Sequence, residues 1–221
     1  MDGKLVESLY EQQAEKRSTI LKDLESIVKA SNVALEGNSF YRHQSLTLYP
    51  ALYNKQLNLF WCGTQAVTKI CEIGFNAGHS SMLLLLGRTE TPIEMTIFDI
   101  GHHPYTRPCR ECIKTAFPHA VWEYIEGDST VTMPVWIQDH KDQEGTYDVV
   151  HVDGGHSKHC IHHDMMNTDK LVKIGGLVIV DDTNCSHISR LVDTYIQSGR
   201  YEEVHVLPSS GYPHRVCRRI A

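Results

Sequence analysis

The residues with the greatest capacity for chemistry in this chain are carboxylates that recur where short apolar segments end. They stand in Glu72-Ile73-Gly74, Phe98-Asp99-Ile100-Gly101, Glu126-Gly127-Asp128-Ser129, Val152-Asp153-Gly154-Gly155-His156 and Val180-Asp181-Asp182-Thr183-Asn184. A single acid after a strand is often a helix N-cap. A succession of them on one rim reads as a binding edge, because open α/β sheets take ligands beyond the carboxyl ends of their strands. The first acid opens the stretch Cys71-Glu72-Ile73-Gly74-Phe75-Asn76-Ala77-Gly78-His79-Ser80, which runs straight into Met82-Leu83-Leu84-Leu85-Leu86. That pattern predicts a strand, a glycine turn and a buried helix. Glycines let backbone approach a ligand closely, and the free N–H groups at the helix start point back at the turn. Such a turn suits a nucleoside with a charged tail.

The glycine spacing narrows the ligand. A carboxylate at the end of the neighbouring strand, here Asp99, can accept the protons of both ribose hydroxyls. Dinucleotide sites use G-x-G-x-x-G so that a pyrophosphate meets the helix start. Gly74 and Gly78 instead have Phe75-Asn76-Ala77 between them, with no middle glycine. Glu72 would repel a phosphate and favour a cation such as a sulfonium or an ammonium.

On these residues the chain resembles the class I S-adenosylmethionine-dependent methyltransferases. Glu-x-Gly-x-x-x-Gly-x-Ser looks like their motif I, and the likeness spans about residues 60–184. It is closest to the metal-dependent catechol O-methyltransferase-like branch and to the small-molecule and sugar O-methyltransferases with a Val-Asp-Gly-x-His segment. The resemblance implies that Gly74, Gly78 and the intervening Phe75 and Asn76 border the methionine part of S-adenosylmethionine. Glu72 would then lie near its ammonium and Ser80 near its carboxylate. Asp99 would take the ribose hydroxyls, and Asp128 and Ser129 would lie by the adenine. Asp153, at the join of cofactor and acceptor, would with Asp181 and Asp182 hold a divalent cation. Three such carboxylates repel one another unless a cation sits among them, and oxygen ligands favour Mg²⁺, Mn²⁺ or Ca²⁺. His156 stands three residues after Asp153, the offset at which the catechol enzymes carry a proton-removing lysine. An imidazole suits that task because it titrates near pH 6.5.

The implied activity is O-methylation of a small hydroxylated acceptor, catalysed by His156 and Asp153. A hydroxylase-like enzyme or a non-catalytic S-adenosylmethionine-binding protein would use the same arrangement. An NAD(P) oxidoreductase is disfavoured by the glycine spacing. Two further motifs are discounted. The histidines from His151 to His163 tempt a zinc reading, but only His159 and His163 would share a helix face. Cys109-Arg110-Glu111-Cys112 has no second cysteine pair at zinc-ribbon distance.

The elements that must position these residues follow from periodicity. Strands are predicted at 69–73, 94–99, 122–126, 147–152 and 176–180, with helices at 79–87, 105–116, 129–139, 158–173 and 185–198. Strands at 203–207 and 214–220, joined by the turn-rich 208–213, would close the chain. This alternation predicts an α/β Rossmann-like fold with a seven-stranded, mostly parallel sheet, one antiparallel edge strand and helices on both faces. Leu5, Leu9, Ile20, Leu24, Ile27 and Val28 predict one or two amphipathic N-terminal helices, a possible homodimer surface. Residues 31–60, with scattered aromatics, read either as a cover for the site or as packing between those helices and the body. The expected division is 1–60 as helices and cover, and 61–221 as the cofactor-binding domain.

Composition bounds the rest. The chain has 221 residues and a net charge of −6, which argues against a nucleic-acid platform. Arg215, Arg218 and Arg219 read as a solvated edge. No apolar run reaches the ~20 residues that cross a bilayer. Without a leader pattern, seven cysteines read as reduced thiols of a soluble cytoplasmic protein.

Overall fold

Strands rich in Val and Ile that lack polar alternation must be covered on both faces. The computed structural model, which describes residues 2–88, 91–204, 206–207 and 213–221, has that arrangement. Its strands are β1 (Lys69–Ile73), β2 (Ile93–Asp99), β3 (Ala120–Glu126), β4 (Tyr147–Val152), β5 (Val172–Val180), β6 (Tyr201–Glu203) and β7 (Arg215–Arg219). They form one sheet in the order β3-β2-β1-β4-β5-β7-β6. β1 to β5 are parallel, and β7 runs antiparallel to both β5 and β6. The antiparallel pairing therefore lies at one edge as expected, but β7 is inserted beside β5 and β6 is outermost.

Among the described residues, eight α-helices flank the sheet: α1 (Gly3–Gln12), α2 (Ala14–Ser31), α3 (Tyr53–Thr64), α4 (His79–Leu86), α5 (Thr106–Ala116), α6 (Ser129–Asp139), α7 (Lys158–Leu171) and α8 (Ser186–Gln197). Alternate strand residues feed two cores. Ile70, Ile97, Val149 and Ile179 pack with residues of α1 to α5. Cys71, Phe98, Val150 and Val178 pack with residues of α6, α7 and α8. Every residue of α4 is buried, as a helix apolar all round requires. The N-terminal helices bury Val6, Tyr10, Ile20, Leu24 and Val28 within the chain. Their apolar face is thus occupied from inside. Among the described residues no helix is long and apolar enough to cross a membrane.

The structure departs from the sequence reading in three places. Residues 53–60, expected to belong to the irregular 31–60 segment, lie in α3, most of which is buried against α4. A side chain at Gly63 would stand 2.0 Å from the Leu84 carbonyl oxygen, so the two helices touch backbone to backbone. β5 starts at Val172, cutting α7 short of the expected residue 173. The strand expected at 203–207 lies at 201–203 instead. The expected linker residues 208–212 lie outside the described residues.

Candidate active site

The ends of β1, β2 and β4 converge on a cavity of about 400 Å³. The strand-end backbones are stitched in series: Gly74 N donates to Phe98 O at 2.8 Å, Asp153 N to Ile73 O at 2.9 Å and Asp181 N to Val152 O at 3.0 Å. Gly74 has φ +90°, and a Cβ there would lie 2.0 Å from the Asp153 carbonyl oxygen. Only glycine lets the turn after β1 approach the end of β4 this closely. Gly78, at φ +79°, precedes α4, and a Cβ there would strike the Phe75 ring at 2.6 Å.

Of the expected cofactor contacts, Gly74, Phe75, Asn76, Ser80, Asp99, Asp128, Ser129 and Asp153 line the cavity, together with His156. Glu72 does not line it. Fully buried, it accepts from Ser80 Oγ at 2.5 Å, from Ser81 Oγ, and pairs with His151 Nδ1 at 3.0 Å. These contacts join β1, α4 and β4 beneath the turn. Gly78 likewise shapes the turn without lining the cavity. Asp99 faces the cavity but also anchors the turn. Its Oδ2 accepts from the Phe75 and Asn76 N–H groups at 2.7 and 2.9 Å, and its Oδ1 from Gly101 N at 2.7 Å and Tyr124 Oη at 3.2 Å. A ribose must therefore compete with these donors. Asp128 caps α6 through Oδ1, accepting from Thr130 N and Oγ1 at 2.9 and 2.8 Å, and these bonds hold its carboxyl below the usual range. Ser129 turns its hydroxyl to Asp164 Oδ1 at 2.7 Å.

Residues 36–41 supply the opposite wall. Glu36, Gly37, Asn38 and Ser39 line the cavity, while Phe40 and Tyr41 pack on the His79 ring, each with centroids 5.6 Å apart. Cover and packing are thus both present in one segment. Asn76, itself left-handed at φ 53°, donates Nδ2 to Glu36 O at 2.9 Å and Gly37 O at 2.8 Å. Tyr105 Oη accepts from Glu36 N at 3.3 Å. Tyr105 is buried and precedes α5.

The rim at the ends of β4 and β5 gathers Asp153, His156, Asp181 and Asp182. His156 Nε2 lies 2.7 Å from Asp182 Oδ2, with the His156 side chain 60% exposed and Asp182 18%. This contact holds the imidazole above its ordinary pKa, burial opposing. Asp182 sits at φ 53°, an unusual conformation for a non-glycine. Deeper in the rim is a residue the sequence reading missed. Lys55, on α3, is buried, and its Nζ bonds Asp181 Oδ2. Burial would lower the lysine, yet Asp181, Asp153 and Asp182 hold it above its ordinary range. Lys55 in turn holds the buried Asp181 low. Asp153 is pushed well up, by burial first and then by the Asp181 charge. His151 Nε2 is 4.0 Å from Asp153 Oδ2; burial would lower the imidazole, but its Glu72 contact holds it above its ordinary pKa.

The expected metal trio of Asp153, Asp181 and Asp182 does not fit a divalent ion in this arrangement, because Lys55 already engages Asp181. An ion seated among the same carboxylates would lie against the ammonium. Charges of one and two about 4 Å apart repel by roughly 8 kcal/mol at an effective dielectric near 20. Among the described residues, the rim's donor atoms that do cluster within 4.8 Å belong to Asp153, His156 and Asp182, a set with His156 in place of Asp181. From the histidine run this cluster draws only His156; His159 and His163 face each other on α7, rings 4.4 Å apart. All seven cysteines are free. Arg215 pairs with Asp193 and Glu203, and Arg218 with Glu202.

The comparisons agree with this geometry. Residues 71–183, just over half of the chain, match the family model described as a methyltransferase domain. No curated protein sequence matches the chain. Its fold is shared with an O-methyltransferase from Bacillus cereus solved with S-adenosylhomocysteine, at TM-score 0.66 and 17% identity over 92% of this chain and 91% of that one. It is shared also with the O-methyltransferase TomG of tomaymycin synthesis from Streptomyces achromogenes, solved with S-adenosylmethionine, at TM-score 0.64 and 14% identity over 91% and 90%. A TDP-rhamnose 3'-O-methyltransferase of calicheamicin biosynthesis aligns at TM-score 0.61 and 13% identity over 94% of both chains. With a strand–turn–helix at Lys69–Leu86, a carboxylate ending each of the next strands and a family match across all of them, the chain belongs to the methyltransferase-domain family and is a class I S-adenosylmethionine-dependent methyltransferase.

Proposed function

We propose that this enzyme methylates a hydroxyl of a small molecule, with His156 removing the hydroxyl proton. The observation that carries the reading is the His156–Asp182 contact at 2.7 Å on the wall of the cofactor-sized cavity. A carboxylate only accepts hydrogen bonds, so His156 Nε2 carries a proton and Nδ1 is the atom left to take one. Asp182 fixes that tautomer and steadies the imidazolium that forms. The His156 carbonyl oxygen is held in turn by His187 Nε2 at 2.8 Å. When bound, S-adenosylmethionine supplies an electrophilic methyl group on a sulfonium and leaves as a neutral thioether. The protein needs no covalent intermediate. It binds the cofactor between the glycine turn and Asp128, excludes water with residues 36–39, and aligns the acceptor oxygen with the methyl carbon.

Methyl transfer to a hydroxyl is supported by the solved structures of the same fold, named as O-methyltransferases, one of them acting on TDP-rhamnose. Residues 1–60 act as cover and 61–221 as the cofactor-binding body. The Mg²⁺ expected on Asp153, Asp181 and Asp182 has no part in this reading, since Lys55 engages Asp181. A panel of hydroxylated acceptors, assayed by mass spectrometry for a methyl ether and for S-adenosylhomocysteine, tests the function. With an acceptor in hand, His156→Ala is expected to lower kcat about 10²- to 10⁴-fold. An effect confined to KM would assign His156 to binding.

A further inference from the structure

We propose that Lys55 is the resident cation of the carboxylate rim, its ammonium taking the role that a divalent ion would otherwise take among Asp153, Asp181 and Asp182. The inference rests on the rim being the acceptor side of a methyltransferase site. Three observations carry it. First, the lysine is enclosed: Lys55 and Asp181 side chains are 3% and 6% exposed, and Nζ bonds Asp181 Oδ2. Second, its position is fixed by rigid surroundings. α3 meets α4 backbone to backbone at Gly63. Directly after Lys55, Gln56 is bonded to Tyr10 Oη at 2.7 Å and to Ser39 O at 2.8 Å, and Asn58 to Leu207 O at 2.8 Å. These contacts hold the backbone of Lys55 beside the rim. Third, a second built-in base lies below the same acids. His151 Nε2 stands 4.0 Å from Asp153 Oδ2, with Nδ1 on Glu72. Two basic side chains of the chain itself, Lys55 and His151, thus stand beside the rim's acids.

Lys55 does not line the cavity, so it acts through Asp181 and Asp153 and is a positioning residue. A cation bonded covalently to the fold cannot be chelated or exchanged. Its removal would free Asp181 Oδ2 beside an Oδ1 that is already buried without a hydrogen-bond partner. That leaves a carboxylate site open for a divalent ion.

Mn²⁺ binding, followed by electron paramagnetic resonance of the free ion, tests this without an acceptor. Wild-type protein, Asp153→Asn, Lys55→Met and Lys55→Met with Asp153→Asn are titrated alike. The expected result is no Mn²⁺ binding that depends on Asp153 in wild type. Lys55→Met should bind Mn²⁺ at least ~10-fold more tightly, and adding Asp153→Asn should abolish the gain. Micromolar Mn²⁺ binding to wild type that Asp153→Asn removes would overturn the proposal, as would a folded Lys55→Met with no gain. Should Lys55→Met not fold, wild type against Asp153→Asn decides alone: equal, weak Mn²⁺ binding supports the resident cation, and a difference overturns it. S-adenosylhomocysteine calorimetry on the same samples keeps the two readings apart. Loss of cofactor binding counts against the active-site assignment, whereas the Mn²⁺ result bears on Lys55.

Discussion

The two halves of the site are built in opposite ways. The cofactor half is local: β1, the glycine turn and α4 are one continuous stretch, and its contact to Asp99 spans 23–24 residues of sequence. The acceptor half is assembled from afar: Lys55 and Asp181 are 126 residues apart. Backbone N–H groups organise the first half, and buried charges organise the second. Motif-scale sequence carries a backbone cradle, because glycine positions and strand ends are short-range signals. It does not carry a charge balance whose positive partner arrives on another helix.

Breaking the long-range half should cost most. Lys55→Met leaves the buried Asp181 without its cation, and loss of about 3–5 kcal/mol is expected. Chemical denaturation measures it, and the double variant with Asp181→Asn should recover a large part. Breaking the local half comes next. Gly74→Ala forces a Cβ against the Asp153 carbonyl at a φ of +90°, with an expected cost of about 3 kcal/mol. For a chain of this size that lowers Tm by roughly 6–12 °C.

A buried acid beneath the two halves should act with the opposite sign. Burial raises the Asp164 carboxyl to about 6, against the pull of Ser129. The folded state therefore holds its proton more tightly than the unfolded chain. That stabilisation is present below the ordinary carboxyl range and is lost as pH rises through about 6. Asp164→Asn should stabilise the protein at neutral pH by at most about 3 kcal/mol, and should flatten Tm between roughly pH 4 and 6.

At the rim, Asp182 raises His156, so activity should climb with pH through a midpoint above the usual imidazole value. Asp182→Asn should move that midpoint down and lower kcat about 10- to 100-fold. An unmoved pH profile would detach Asp182 from the base. The smallest effect is expected at the latch between the glycine turn and the cover. Asn76→Ala removes two hydrogen bonds to the cover, worth about 1 kcal/mol, and limited proteolysis should then cut faster near residues 36–39.

How far the sequence revealed this molecule follows the same division. β1 and β4 lie where the apolar runs put them, and the glycine turn, Asp99, Asp153 and His156 reach the cavity together. α3 was hidden for a physical reason. Lys55, Gln56 and Asn58 are polar, so they interrupt an apolar helix pattern, yet they are buried because each has a partner elsewhere. A buried lysine cannot be told from a solvated one without its acid beside it. The internal bonds of Glu72 were hidden for a related reason. Its position in the motif suggested a ligand contact, whereas Ser80, Ser81 and His151 take up its oxygens. The signal for that was present in Ser80-Ser81, eight and nine residues on at the start of α4, and in a histidine inside β4.

The central claim is that the turn after β1, held by Asp99, binds a sulfonium-type adenosine cofactor. Isothermal titration of S-adenosylhomocysteine into wild type and Asp99→Asn tests it most directly. One site per chain with micromolar affinity, weakened at least ~10-fold in a folded Asp99→Asn, is the predicted result. No heat with S-adenosylhomocysteine, or equal affinity in the two proteins, would contradict it.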